Sequence, residues 1–371
     1  MPEAPDAPEG PDAPERRAVT AQVADCAEIL ARARPLIDVR APGEYARGAL
    51  PDAINLPLLN DEERAAVGTT FKRHGRAAAI ELGNRLVCGD VKRARVEDWC
   101  AFVEAHLDAA IYCARGGLRS EIAQTWLAEA GFRQARVVGG FKALRRHCLD
   151  VLEGVGERRF VLVGGRTGSG KTSVLQSARA CIDLERLANH RGSAFGAFPT
   201  PQPPPVAFEN AVAVEVMRLP VDEPIVLEDE SRTIGRLAIP ERLFEAMQGA
   251  PIALIEADDD DRARNIYREY VLEAKQPRSH LEASLKRIER RLGGVRYTEI
   301  KALMGQAFDG GATAWPLHRR WIVRLLNDYY DPMYDYQLAA KADRVCLRGT
   351  PAEIAAALRN WPLGGESCEQ R

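Results

Sequence analysis

Residues 113–120 read Cys-Ala-Arg-Gly-Gly-Leu-Arg-Ser, a thiol followed by two glycines with an arginine on either side of them. Apolar Ile111 and Tyr112 before it read as the end of a buried strand, and Ile122, Trp126 and Leu127 after it repeat at helical spacing. A strand that turns through such a loop into a helix points successive N–H groups inward and adds the positive end of a helix dipole. That environment favours thiolate over thiol and lets an anion sit beside the sulfur. Cys113 is therefore the candidate nucleophile and Arg115 and Arg119 its candidate clamps. Ala114, Gly116, Gly117, Leu118 and Ser120 complete the cradle.

Working outward, residues 35–39 are a short apolar run ending in Asp38-Val39-Arg40, and Ala53-Ile54-Asn55-Leu56-Pro57 reads as another strand. Residues 60–109 show helical spacing through Val67, Phe71, Ile80, Leu82, Val96, Trp99 and Phe102. Strand 110–112, the cysteine loop, a helix over 120–130, a strand over 135–138, the break at Gly139-Gly140 and a helix over 141–153 follow. Alternating strand and helix predict a parallel α/β sheet with its active loop at a strand's carboxyl end. The seam Glu153-Gly154-Val155-Gly156-Glu157 then separates a first domain, 18–153, from a second, 158–371. Residues 1–17, a Pro/Ala/acidic tract that cannot bury a core, are expected to be disordered.

The second domain opens with the apolar run 160–163 and Gly165-Arg166-Thr167-Gly168-Ser169-Gly170-Lys171-Thr172, which satisfies G-x-x-x-x-G-K-[ST] between a strand and a helix. Gly165, Gly168, Ser169 and Gly170 would wrap phosphate oxygens, Lys171 would neutralise them, and Thr172 would ligate Mg²⁺. The pattern reports at least two linked phosphates and does not itself name a nucleotide. Asp229, just past the apolar strand 224–228, stands where a carboxylate orders Mg²⁺ through water, between the less easily read Glu228 and Glu230. Residues 189–208, rich in Gly, Pro, Ala and Phe, are expected to form a long ordered loop or lid. Strand 251–256, a helical region over 259–340, strand 344–348 and a helix over 351–360 complete the chain.

Composition narrows the setting. A chain of 371 residues with 46% hydrophobic and 28% charged residues is globular in type. No apolar stretch approaches the roughly 18–20 residues of a membrane helix, and no secretory signal opens the chain. Among the eight cysteines no two lie closer than twelve positions, so no metal-knuckle spacing exists and reduced cytoplasmic thiols are expected. The formal charge of −2 excludes a uniformly basic coat, so nucleic acid would have to meet a local patch.

The cysteine loop also spells Cys-x5-Arg-Ser, the phosphate cradle of cysteine phosphatases, although no loop is an obvious source of a leaving-group acid. Sulfur or selenium carriage on Cys113 is the rival chemistry. A nucleotide-dependent sulfurtransferase or kinase acting on RNA, and a thiol-regulated tRNA-binding protein without catalysis, also remain open on the residues alone.

A family resemblance separates these. Residues 35–57, the loop 113–120 and Val138-Gly139-Gly140-Phe141-Lys142-Ala143-Leu144 resemble a rhodanese domain. The insert from Asn60 to Gly68, the fused phosphate loop, and the blocks His190–Gly196, Leu227–Arg232 and Tyr329–Tyr334 extend this. The ordered set resembles the bacterial tRNA 2-selenouridine synthase family over residues 20–360. The resemblance implies an enzyme acting on 2-thiouridine at the wobble position of tRNA anticodons. Geranyl diphosphate would alkylate the sulfur, and selenium from selenophosphate would then displace the S-geranyl group. Cys113 would carry selenium as a selenopersulfide, and the phosphate loop would take a diphosphate in place of ATP. Asp38 and Arg40 would border the cysteine pocket and orient its loop. No tightly bound cofactor is implied; the co-substrates are geranyl diphosphate and selenophosphate, with Mg²⁺ possible, and a supplier of selenophosphate is an expected partner. Ala49 departs from the many simple rhodaneses that have His in this run.

For tRNA, Lys286, Arg287, Arg290 and Arg291 fall at i, i+3 and i+4 on a helix and are followed by Arg296 and Lys301. Trp315, His318, Arg319, Arg320 and Trp321 place cations beside aromatics that could stack on anticodon bases. By themselves these residues fit a solvated helix equally well. For the geranyl chain, the loop 194–208 with Phe195, Phe198 and Phe208 is the expected channel.

Overall fold

The computed structural model describes residues 22–23, 25–273, 277–311 and 314–361. The tract 1–17 lies outside the described residues. The chain divides into two units. One holds residues up to Cys26, Arg34–Pro42 and Ala53–Ala143; the other holds Ala27–Ala33, Gly43–Asp52 and residues from Leu144 onward. The division falls inside the helix Gly140–Gly154.

Short runs build the sheet of the first unit. β1 (Gln22–Val23), β2 (Leu36–Asp38), β3 (Ala53–Asn55), β4 (Ala110–Tyr112) and β5 (Ala135–Val137) lie in the order β1-β5-β4-β2-β3, all parallel. β2 and β4 are buried at every position, as inner parallel strands covered on both faces must be. Asp38 is in register with Tyr112, so the two strands end side by side and Cys113 leaves the sheet there. The helix Asp61–Leu86 starts on a capping box between Asn60 and Glu63 and kinks at Gly75, φ 81°. With Gly89–Ala105 it fills the span read as helical. Trp99 and Val103 from these helices join Ile37, Val39, Ile111 and Leu127 in the core, and the Trp99 indole donates to the Leu56 carbonyl at 3.0 Å. Phe71, placed by its spacing on the apolar face, is 56% exposed.

The second unit repeats the principle. β6 (Phe160–Gly165), β7 (Ile225–Glu228), β8 (Thr233–Ile234), β9 (Leu237–Ala238), β10 (Ile252–Ile255) and β11 (Val345–Gly349) are its strands. Four form a parallel sheet in the order β11-β10-β6-β7, and β8 with β9 make a two-residue antiparallel ladder. β6 is buried along its whole length and hands the chain to the phosphate loop at its carboxyl end. The helices after β10 close a second core around Leu281, Leu285, Met304, Trp321 and Ile322.

One expectation needs correction. Residues 189–208 are not loop throughout: the helix Pro205–Arg218 begins inside them, with Phe208, Val212, Ala213 and Val216 buried on one side. Pro205 sits in the first turn, where its missing N–H has no helical partner to lose, so the proline marks a helix start. Among the described residues no helix is long and apolar enough to cross a membrane.

Candidate functional site

Strand β4 delivers Cys113 to the floor of its loop, with the side chain 3% exposed. Its Sγ lies 3.2 Å from the Ser120 hydroxyl and 3.7 Å from the Gly117 carbonyl, and Ser120 in turn donates to Gly117 at 2.9 Å. The curl depends on bare backbone. Gly116 has φ +63°, and a Cβ there would come within 2.6 Å of the Gly139 nitrogen. Gly140 has φ +57°, and a Cβ there would sit 2.1 Å from the Cys113 carbonyl. The second loop thus packs directly under the first, tied by Phe141 N–H to Cys113 O at 2.8 Å and Lys142 N–H to Ala114 O at 3.1 Å.

The N–H groups of Ala114, Arg115, Gly116 and Gly117 donate to no acceptor among the described residues. Four successive unclaimed donors, ahead of the helix Leu118–Glu129, make an anion-binding nest. Arg115 is exposed and Arg119 half-buried at its rim. Arg136, which the sequence did not single out, donates to the Gly116 carbonyl and pairs with Glu121 at 3.2 Å, bracing the loop from outside.

Asp38 and Arg40 face each other. The Arg40 guanidinium bonds both Asp38 oxygens at 2.6–3.0 Å, and both side chains are buried. Asn55 holds their carbonyls at 2.9 and 2.8 Å. Arg40 also stacks 3.8 Å over the Phe141 ring, so the pair reaches the cysteine through the residue that bonds the Cys113 carbonyl. Their placement supports positioning and does not expose either charge to a ligand. Cys88 and Cys100 are free thiols, like Cys113.

In the second unit the phosphate loop has Gly168 at φ +81° and Gly170 at φ +83°. A Cβ on Gly168 would lie 2.7 Å from the Arg262 carbonyl. Lys171 folds back on the Gly165 carbonyl at 3.0 Å, Thr172 is exposed, and the buried Ser169 hydroxyl has no partner among the described residues. Distant residues stiffen the loop. Arg262, 1% exposed, donates to Thr167 O at 3.0 Å and pairs with Asp331 at 2.5 and 2.9 Å, while Asn265 donates to Gly168 O at 2.9 Å. Arg166 is turned to Asp335 at 2.7 Å.

Asp229 follows β7, but both its oxygens are held by Lys341, at 2.7 and 2.9 Å. Thr172 is therefore the candidate Mg²⁺ ligand whose oxygen is not already engaged by a cation. Around Lys171 lie further carboxyls. Burial pushes Glu230 up to about 8, with Glu185 adding to the rise and Lys171 opposing it. Glu228 is raised well above the usual carboxylate range by burial first and Asp183 second. Glu185 is raised by burial, with Lys171 opposing, and accepts the Gly192 N–H at 2.6 Å. Carboxyls kept neutral leave the Lys171 charge available to an anion. Nearby Arg191 stacks between Phe198 and Tyr270, at 4.8 and 4.7 Å, with one guanidinium nitrogen unpartnered.

The basic residues are unequal. Lys286 pairs with Glu289 at 2.5 Å, Arg287 donates to Ala194 O and the Ser284 hydroxyl, and Arg319 pairs with Asp260 at 2.5 Å. Arg290, Arg291 and Arg320 are exposed, with no ion pair among the described residues. Two expectations are overturned here. His318 and Trp321 are 0% and 1% exposed and cannot stack on a base, and Trp315 packs against Tyr267. Phe208 lies in the helix core and Phe198 under Arg191, which leaves Phe195 alone of the three for any apolar channel.

Known proteins share this arrangement. Residues 22–147 match the rhodanese-like domain, and residues 158–363 match the tRNA 2-selenouridine synthase AAA domain. The chain is 45% identical over 339 residues to the tRNA 2-selenouridine synthase of Hahella chejuensis, covering 86% of this chain and 89% of that one. It is 43% identical over 359 residues to that of a Sulfurovum species, covering 92% and 98%. For the Pseudomonas aeruginosa protein of the same name the figures are 44% over 346 residues, 88% and 94%. With a rhodanese-like loop around a nest of free N–H groups, a phosphate loop after it, and this likeness along most of its length, the chain belongs to the tRNA 2-selenouridine synthase family.

Proposed function

We propose that this protein replaces the sulfur of wobble 2-thiouridine in tRNA by selenium, in two steps served by its two loops. As a member of its family it is a tRNA-modifying transferase. In the first step the phosphate loop holds geranyl diphosphate, the thiouridine sulfur bonds the allylic carbon, and diphosphate leaves. Lys171 and the loop N–H groups stabilise the departing charge. Mg²⁺, brought with the diphosphate and held through Thr172, would supply further charge neutralisation. Alkylation turns a poorly leaving thiocarbonyl sulfur into a thioether that can depart as thiolate.

In the second step the nest at 114–117, with Arg115 and Arg119, holds the phosphate of selenophosphate. The Cys113 thiolate bonds selenium, and the selenium–phosphorus bond breaks with its electron pair on phosphorus, which leaves as phosphite. Selenium on Cys113 then bonds carbon 2 and expels geranylthiolate. An external thiol attacks the Cys113 sulfur and frees the selenouridine. A cytoplasmic setting suits this chemistry, because it keeps thiols reduced.

The observation that carries this reading is the cysteine ringed by four unclaimed N–H donors. A second reading follows from the 3% exposure of Cys113. The nest holds selenophosphate while its own selenium attacks carbon 2, and water later releases orthophosphate. Nucleoside mass spectrometry and phosphorus NMR on one reaction test both. Carriage predicts phosphite and no selenouridine from Cys113→Ala, with S-geranyl product still formed; orthophosphate alone would establish direct attack. Lys171→Ala should slow geranylation about a hundredfold, and an unchanged rate refutes the diphosphate assignment.

A further inference from the structure

Two π-helical segments, Tyr267–Glu273 and Leu326–Tyr330, lie in the helical part of the second unit and pack against Trp315–Leu325. Such segments are rare and recur at functional sites, because the extra residue per turn re-aims side chains. Here they deliver Tyr270 and Tyr330 to a narrow crevice with about 350 Å³ of empty space. Phe195, Leu281, Trp321 and Ile322 line it as well, and Thr167 of the phosphate loop is part of the same wall.

The lining decides what can enter. It contains no carboxylate, carboxamide or guanidinium, the groups that read the edge of a nucleotide base. Its hydroxyls belong to Thr167, Ser193, Tyr270 and Tyr330. Ser193 and Tyr270 approach each other at 3.4 Å, and the buried Tyr330 hydroxyl makes no hydrogen bond among the described residues. What remains is aliphatic and aromatic surface beside a loop built for phosphates.

We propose that this crevice receives the apolar chain of the diphosphate held by the phosphate loop, so that the ligand is an amphiphile of the prenyl diphosphate class. The proposal rests on the diphosphate reading of the Lys171 loop and adds the residues that take the tail. Each methylene buried there should raise affinity roughly fourfold. Leu281 and Ile322 supply contact without touching the phosphate loop's own hydrogen bonds.

Titration calorimetry on the full chain with inorganic diphosphate, dimethylallyl diphosphate and geranyl diphosphate tests it. Affinity should rise along the series, by at least tenfold from the first to the last. Leu281→Ala should weaken geranyl diphosphate at least fivefold, and the gentler Ile322→Val about twofold, while inorganic diphosphate stays within twofold of the parent. Equal weakening for both ligands, unchanged geranyl diphosphate binding, or no rise with chain length overturns the tail site. Lys171→Ala separates the two layers. If it leaves all three affinities unchanged, the diphosphate reading itself falls. If it weakens all three while the crevice variants do nothing, only the tail site falls.

Discussion

Lys341 grips Asp229 through both carboxylate oxygens, at 2.7 and 2.9 Å, across 112 residues of sequence. The aspartate stands one residue beyond β7, where a phosphate-loop protein commonly orders a metal ion. Here an ammonium already balances it. The lysine arrives from the far end of the helical region, just before β11, so the charge at this strand end is settled by the fold.

Lys341→Met should therefore destabilise the protein by about 1–3 kcal/mol, less than a fully buried pair because Lys341 keeps some exposure. Asp229→Asn in the same chain should restore part of the loss. Urea unfolding of the single and double variants measures both. Strict additivity would show that the pair contributes nothing.

Gly140→Ala should cost about 1–3 kcal/mol or more, since φ is +57° and the new carbon would lie 2.1 Å from the Cys113 carbonyl. Gly117→Ala is the matched control, with φ −99° and nothing within 4 Å of the added carbon, and should change stability by under about 0.5 kcal/mol. Similar melting temperatures for the two would contradict the packed-loop geometry.

His318 makes stability depend on pH. Its ring is buried, and Nδ1 accepts the Trp321 indole N–H at 3.2 Å. Burial lowers its pKa below the ordinary 6.5, with the Gly311 backbone opposing. Below pH 6.5 the unfolded chain takes a proton that the folded chain refuses. Its contribution is thus full above 6.5 and is lost as pH falls through 6.5 toward the folded value. One such group changes stability by at most about 1.4 kcal/mol per pH unit. His318→Gln, measured by denaturant titration between pH 7.5 and 5, should flatten the curve. His190, also lowered by burial, should leave a residual slope.

Of the basic residues, Arg290 and Arg291 are exposed and without ion pairs among the described residues, so they bear most directly on tRNA. Reversing both to Glu should weaken binding and flatten the plot of log affinity against log salt, by close to one unit for each phosphate no longer neutralised. Adding Arg287→Glu also removes its bonds to Ala194 and Ser284, so some of that variant's weakening would be structural. Fluorescence anisotropy with labelled tRNA at four salt concentrations reads the slope, and an unaltered slope removes this helix from the interface.

What could be read in the sequence was contiguous. Cys113–Ser120 and Gly165–Thr172 each carry strand, turn and helix signals within a few residues, and both loops lie at strand ends as the pattern requires. Arg136 on Gly116, Arg262 on Asp331 and Lys341 on Asp229 bridge distant positions, and no local pattern announces such partners. The stacking surface failed for a different reason. Leu317, His318, Trp321, Ile322 and Leu325 recur at helical spacing and form the inward stripe of an amphipathic helix, with Arg319, Arg320 and Arg324 on the outside. Aromatics beside arginines were opposite faces of one helix. The helix at Pro205 is hidden in the sequence because a proline-rich approach resembles a loop until the buried Phe208, Val212 and Val216 are counted together.

Arg262 holds Thr167 on one side and Asp331 on the other, so the rigidity of the phosphate loop is borrowed from a residue about 160 positions downstream. The strand, loop and short helix at 160–175 consequently do not amount to a portable cassette. Excised or transplanted without Asp331, they would carry a stranded guanidinium under a slackened turn.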